Sequence, residues 1–218
     1  MEAGVSYGWR ADVDALPADH HAAKMFEPDP KAKADMKPGT VYAVAGEGGW
    51  LYYGQVTPEK MVAFFRHRGR EIDVPEAALS SPVLCVVDVA YPSITRALRA
   101  GIWMKLGRRP LGNGVAEPRL SVQWPVGTLT VTVWSGGEAK FDTHVDDPAI
   151  QNAELMAVWD AQHHIPARLT ADFSPEEAAQ HVGGPIWRER RVKEERARRF
   201  PDQPGHQLPL DWVPTTVR

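Results

Sequence analysis

The sequence predicts an α+β fold: a small, strongly bent antiparallel sheet or SH3-like barrel in the first half, with a further β-hairpin and C-terminal helices packed on it. Three observations predict it. Residues 37–65 hold three apolar runs, opened by a turn signal and divided by a glycine-rich loop. Over Gly127–Trp134, Thr128, Thr130 and Thr132 alternate with Leu129, Val131 and Val133, the period of a half-buried strand. In the last third, Ser174-Pro175 with Glu177 and then Pro185 are helix start signals.

The elements follow in order. Residues 1–36 are polar and irregular and read as an N-terminal arm, with Tyr7 and Trp9 as possible anchors. Pro38-Gly39 is a turn. Thr40–Ala45 is a strand, and Gly46–Gly49 is a hairpin loop because glycine reaches positive φ without steric cost. Trp50–Val56 returns, with Gly54 marking a bulge or bend. Lys60–Arg66 is the third strand. Pro75–Ser80 is a helical turn, and Val83–Val89 is an apolar strand covered on both faces. Ser93–Ala100 is helical, with Ile94 and Leu98 on one side. Ile102–Leu106 is a strand. The Gly- and Pro-rich loop 107–118 divides a β-rich domain, 37–118, from the region 119–200, which is expected to pack on it as one unit.

In that second region Leu120–Trp124 and Gly127–Trp134 form a hairpin around Pro125, and Glu138–His144 adds a strand. Asp147-Pro148 predicts a helix running to about His163, well buried because its apolar residues spread around the axis. A short helix follows Ser174, and Pro185 starts a last helix to about Phe200. The tail 201–218 is extended, with Leu210 and Trp212 as contacts.

Composition bounds function. The chain has 218 residues, 43% of them hydrophobic, and a net charge of −3. That is ordinary for a globular protein with a sizeable core. One cysteine, Cys85, excludes an internal disulfide, and its apolar surroundings suit an inert thiol. No stretch reaches the length of a membrane helix, and residues 1–30 lack the apolar core of a signal peptide, so a cytoplasmic location is expected. Arg188–Arg199 carries seven basic and three acidic residues. Glu189 with Lys193 and Glu194 with Arg198 have the spacing of ion pairs on a solvated helix. The rest of the chain has 18 basic and 25 acidic residues, a net charge of −7, which disfavours nucleic acid as a partner.

No nucleophile turn, phosphate loop or dinucleotide fingerprint occurs. The pairs His20-His21 and His163-His164, and the mixed set His144, Asp146, Asp147 and His163, lack the spacing of a metal site, so no metal and no cofactor is expected. Glu71, Asp73 and Asp88 could pair for acid–base work, yet surface or capping roles are commoner, and no catalytic residue is named. Trp103, Trp159 and Trp187 read as core anchors. Trp50, beside a glycine loop, suits an interface. The candidate partner-binding residues are Trp50, Tyr52, Glu71 and Asp73.

Five segments carry a likeness: Lys37-Pro38-Gly39 before Val41-Tyr42-Ala43-Val44; Tyr52-Tyr53-Gly54-Gln55-Val56; Val62-Ala63-Phe64-Phe65; Ser81-Pro82-Val83-Leu84; and Trp103-Met104-Lys105-Leu106-Gly107 through Arg108, Arg109, Pro110 and Leu111. In order and spacing, residues 37–111 resemble the immunity protein 26 family of bacterial polymorphic toxin systems. The resemblance implies a protein that binds and neutralises a cognate toxin by occlusion. The acidic main body would suit a basic partner such as a nuclease. A phosphotriesterase is grouped with the same family, so the resemblance also leaves open a small metal-dependent hydrolase of phosphoesters or phosphotriesters. It covers about a third of the chain and carries over no catalytic residue.

Overall fold

The computed structural model describes residues 26–73 and 75–215. Tyr7, Trp9, His20 and His21 lie outside the described residues. Strands β1 (Thr40–Ala45) and β2 (Leu51–Val56) form an antiparallel hairpin that pairs Ala45 with Leu51. Its loop is one 3-10 turn, Glu47–Gly49, in which Gly48 (φ 62°) and Gly49 (φ 75°) take the left-handed conformation. That is the glycine requirement that the sequence signals there. Strand β3 (Val62–Gly69) pairs with β2 through a register shift between Tyr52 and Gly54. Gly54 is needed at that bend, because a Cβ there would lie 2.8 Å from both Val62 and Phe64 side chains.

Helix α1 (Pro75–Leu79), β4 (Val83–Val89), α2 (Tyr91–Arg99) and β5 (Trp103–Arg108) complete the first half. The second half holds β6 (Ser121–Gln123), β7 (Thr130–Ser135), β8 (Glu138–His144), β9 (Glu154–Leu155) and β10 (Val158–Trp159). Helices α3 (His164–Asp172), α4 (Pro175–Ala178) and α5 (Ile186–Arg199) follow. The first sheet has six strands in the order β10-β4-β3-β2-β1-β5, and the second has four in the order β8-β7-β6-β9. The first is a strongly curled half-barrel, not a closed barrel, so the fold is α+β.

Strand alternation splits the first sheet's side chains between two cores. Tyr42, Val44, Tyr52, Phe64, Cys85 and Val87 face Ile94 of α2 and Ile165 and Leu169 of α3. Val41, Ala43, Leu51, Tyr53 and Phe65 face Ala78 and Leu79 of α1. Trp103 lies wholly inside and donates its indole N–H to the Ala161 carbonyl at 2.9 Å, tying β5 to the chain before α3. The second sheet packs Val122, Val131 and Val133 against Ile150 and Ile186.

One predicted element is corrected. No long helix runs from Asp147 to His163. Asp147 caps a single turn, Pro148–Ile150, by accepting from the Ala149 N–H at 2.9 Å. The chain then runs extended. Glu154–Leu155 pairs in parallel with β6, and Val158–Trp159 pairs in parallel with β4. Backbone groups that a helix would satisfy internally go to remote partners instead: Met156 N–H to Val122 and Leu155 N–H to Gly184, both at 2.8 Å. Residues 154–159 are thus an edge of both sheets at once.

The last helix is also less solvated than its composition predicts. Arg188, Glu189 and Arg190 are buried. Lys193 pairs with Glu189 at 3.8 Å, as the spacing suggests, but Arg198 pairs with Glu195 at 2.6 Å. Glu194 instead accepts from the Trp212 indole at 3.0 Å, and Trp212 stacks on Trp124. The tail is held through Trp212, while Leu210 is fully exposed.

Replacing Gly54 by alanine forces a methyl into the Val62 and Phe64 side chains. The expected cost is about 1–3 kcal/mol, the usual range for overpacking. Equilibrium urea unfolding of the variant measures it.

Candidate partner-binding face

Two polar constellations stand out, one exposed and one buried. The exposed one is built on the β1–β2 hairpin. Trp50 is half-buried at the start of the returning strand, and two guanidiniums lie over its ring, Arg68 at 4.1 Å and Arg70 at 3.8 Å from the centroid. Arg68 also lies 4.8 Å over Phe173. Strand pairing places Arg68 opposite Tyr52, so it reaches the tryptophan beside it. Arg70 donates to the Gly48 carbonyl, which fixes the glycine turn to the end of β3.

Tyr52 does not line this face. It is fully buried, and burial pushes its phenol pKa up. Its hydroxyl donates to Thr170 Oγ1 at 3.3 Å, and the same oxygen accepts from the Glu47 N–H at 3.0 Å. Thr170 Oγ1 in turn donates to the Pro166 carbonyl at 2.9 Å. Tyr52 therefore supports the hairpin from beneath and ties it to α3.

Glu71 and Asp73 are exposed just past β3, with Ile72 (52% exposed) between them. Their backbone is pinned by buried Tyr53, whose hydroxyl accepts from the Asp73 N–H at 2.7 Å and donates to the Glu71 carbonyl at 3.4 Å. The Asp73 carboxylate meets His67 Nε2 at 3.2 Å. Trp50 and its two stacked arginines thus lie on the α3 side of the sheet, while Glu71 and Asp73 follow β3 where Tyr53, on the α1 side, holds their backbone. Arg66, Arg68 and Arg70 are all exposed, and among the described residues none of them forms an ion pair.

The arginines were not among the residues expected at this face. Their signal was present as Arg66-His67-Arg68-Gly69-Arg70, a run in which every second residue is basic at a strand end.

The other sequence candidates separate. Asp88 lies on β4 beside the groove at Val158, away from Glu71 and Asp73. Asp147 is spent as a cap and as acceptor from Thr143 Oγ1 at 2.7 Å. His144 Nδ1 contacts Asp146, while the His163 N–H donates to Asp160 Oδ1 at 3.0 Å. Among the described residues, no group of three or more His, Cys, Asp or Glu could hold a metal ion.

The buried constellation joins the halves. Arg168 is 1% exposed, and its Nη2 donates to both Glu154 carboxylate oxygens at 2.7 and 2.9 Å. Its Nε donates to Asp172 Oδ2 at 3.3 Å, and Arg188 Nη2 donates to Asp172 Oδ1 at 2.7 Å. The Arg168 guanidinium lies 4.6 Å over Trp159, which also stacks on His181. Cys85 is buried close by, and burial pushes its thiol up to about 12, so it is an inert core group. The two positive and two negative side chains balance in charge, although Arg168 Nη1 and Arg188 Nε and Nη1 are buried without a hydrogen-bond partner, and the constellation reads as a structural joint.

No family model matches the chain, and no curated protein and no solved structure matches it either. Among the described residues, no helix is long and apolar enough to cross a membrane.

Two predictions follow from the joint. Arg168→Met leaves the Glu154 carboxylate without its cation in a buried site and Asp172 with Arg188 alone. The expected loss is about 3–5 kcal/mol, read from denaturant unfolding. His181 has its pKa lowered, first by burial and then by Arg188 and Arg168, against the Val182 carbonyl that raises it. A histidine pKa depressed in the folded state means that the unfolded chain binds the proton more readily. Stability from this group is present above its ordinary value of 6.5 and is lost as pH falls below it. The unfolding midpoint should drop between about pH 7.5 and 5.5, and less so in His181→Gln.

Proposed function

We propose that the protein is an immunity protein that binds a cognate bacterial toxin in the cytoplasm and neutralises it by occlusion. The observation that supports this best is the exposed face at Trp50, with Arg68 and Arg70 stacked on its ring. Tryptophan and arginine are the residues over-represented among energetically dominant interface positions. Stacking on Trp50 holds each guanidinium in place, so less side-chain freedom is lost when a partner docks. The hairpin beneath is preorganised by Tyr52, Thr170 and the Gly48 carbonyl. The resemblance of residues 37–111 to the immunity protein 26 family supports the same reading. Occlusion needs no chemistry from the bound protein, only a rigid, well-anchored surface.

The test is co-expression with the product of the neighbouring toxin gene. A stable complex is expected on size exclusion. Trp50→Ala and Arg68→Ala should each weaken it about 30-fold, matching the roughly 2 kcal/mol of an interface hot spot. If no neighbouring gene product is retained, the reading is wrong.

A further inference from the structure

We infer that the Trp50 face receives carboxylates: the partner's docking surface is an acidic protein surface, with paired Asp or Glu side chains set against Arg68 and Arg70. This takes from the proposed function only that the partner is a protein. It differs from the basic partner that the net charge of −7 outside Arg188–Arg199 suggests. Net charge averages over the whole surface, whereas docking depends on the charge of one face.

Three observations carry the inference. First, Arg68 and Arg70 are exposed and lack any ion-paired carboxylate among the described residues, although the chain has more acidic than basic side chains. Other arginines show the contrast: Arg96 pairs with Asp160, Arg109 with Glu76 and Arg198 with Glu195. Second, the two unpaired cations converge on one ring, at 4.1 and 3.8 Å from its centroid. Arg70 spends one Nη1 donor on the Gly48 carbonyl and Arg68 also reaches the Tyr52 hydroxyl, but a guanidinium has five N–H donors, and those left at the exposed edge can meet a carboxylate. Third, Arg66 is exposed two residues earlier on the same strand and extends the positive charge along it.

A phosphate backbone is the competing anion, and the face suits it less. A nucleic acid lays down a line of charges and gains affinity from many contacts. Here the positive stretch is short and ends at Glu71 and Asp73, both exposed, which would repel the next phosphates. A carboxylate pair on a folded partner fits between these limits, and half-buried Trp50 supplies apolar contact beside it.

The experiment uses the full chain with three fluorescent probes in low salt: a ten-residue glutamate peptide, a ten-residue lysine peptide and a ten-nucleotide single-stranded DNA. Fluorescence anisotropy is expected to show binding of the glutamate peptide despite the protein's negative charge. Arg68→Gln/Arg70→Gln should weaken it at least fivefold while the protein stays folded by circular dichroism. Glu71→Gln should tighten it, because that side chain repels the probe. The inference is overturned if the glutamate peptide does not bind, if the double variant binds it equally well, or if the DNA binds more tightly through the same arginines. A toxin complex that forms while the glutamate peptide fails keeps the proposed function and removes the acidic partner. Peptide binding without any toxin complex does the reverse.

Discussion

The buried bridge from Arg168 to Glu154 and Asp172 is the interaction on which the rest of the molecule depends. Glu154 belongs to the strand segment shared by both sheets, Asp172 to the end of α3, and Arg188, the second cation on Asp172, to α5. A single guanidinium thereby positions the shared segment against the helix that covers the first sheet. Ion pairs this deep gain little over a well-packed apolar equivalent, because desolvation offsets the attraction. Their directionality is what matters here. Glu154 accepts both of its bonds only if the 154–159 segment lies along β6 and β4 and not in a helix.

That dependence explains which parts could be read from the sequence. The glycine hairpin, the bend at Gly54 and the Ser174 cap were readable because each is settled by residues a few positions apart. The threonine alternation around Val131 was readable for the same reason. The helix expected after Asp147 failed because Leu155, Val158 and Trp159 satisfy a helical pattern and an extended one equally well. Strands β4 and β6, far back in the chain, decide between them. Arg188 and Arg190 failed similarly: composition placed them on a solvated helix, while Asp172 and Gln151 draw them inward. At the candidate face, Trp50 was readable as an aromatic beside a tight loop. Tyr52 was misplaced because strand alternation gives its face but not what covers that face, which is α3. The pairing of Arg68 and Arg70 with Trp50 required the register of β2 on β3, and a bulge at Gly54 hides that register from simple counting.

The face and the joint are connected through α3. Thr170, two residues after Arg168 on the same helix, receives the Tyr52 hydroxyl and the Glu47 N–H. The hairpin that presents Trp50 therefore rests on a helix whose position is set by the buried ions. A surface loop with glycines at positive φ would otherwise be the most pliable part of the first sheet. Rigidity at the surface is inherited here from electrostatics in the interior.

The shared segment has one more consequence. Strand β4 carries Val83-Leu84-Cys85-Val86-Val87, an apolar run of high β-propensity with a single strand, β3, on one side. On the other side the two residues of β10 pair with the end of that strand, Val158 opposite Asp88 and Trp159 opposite Val89. An uncovered apolar edge invites pairing with another chain and aggregation. By laying Val158 and Trp159 along the Asp88–Val89 end of that edge, the second half of the chain acts as a guard for the first. A fragment ending in the loop 107–118 would lose the guard together with Thr170 and Phe173, so the second half secures for the first both its solubility and the support of the Trp50 face.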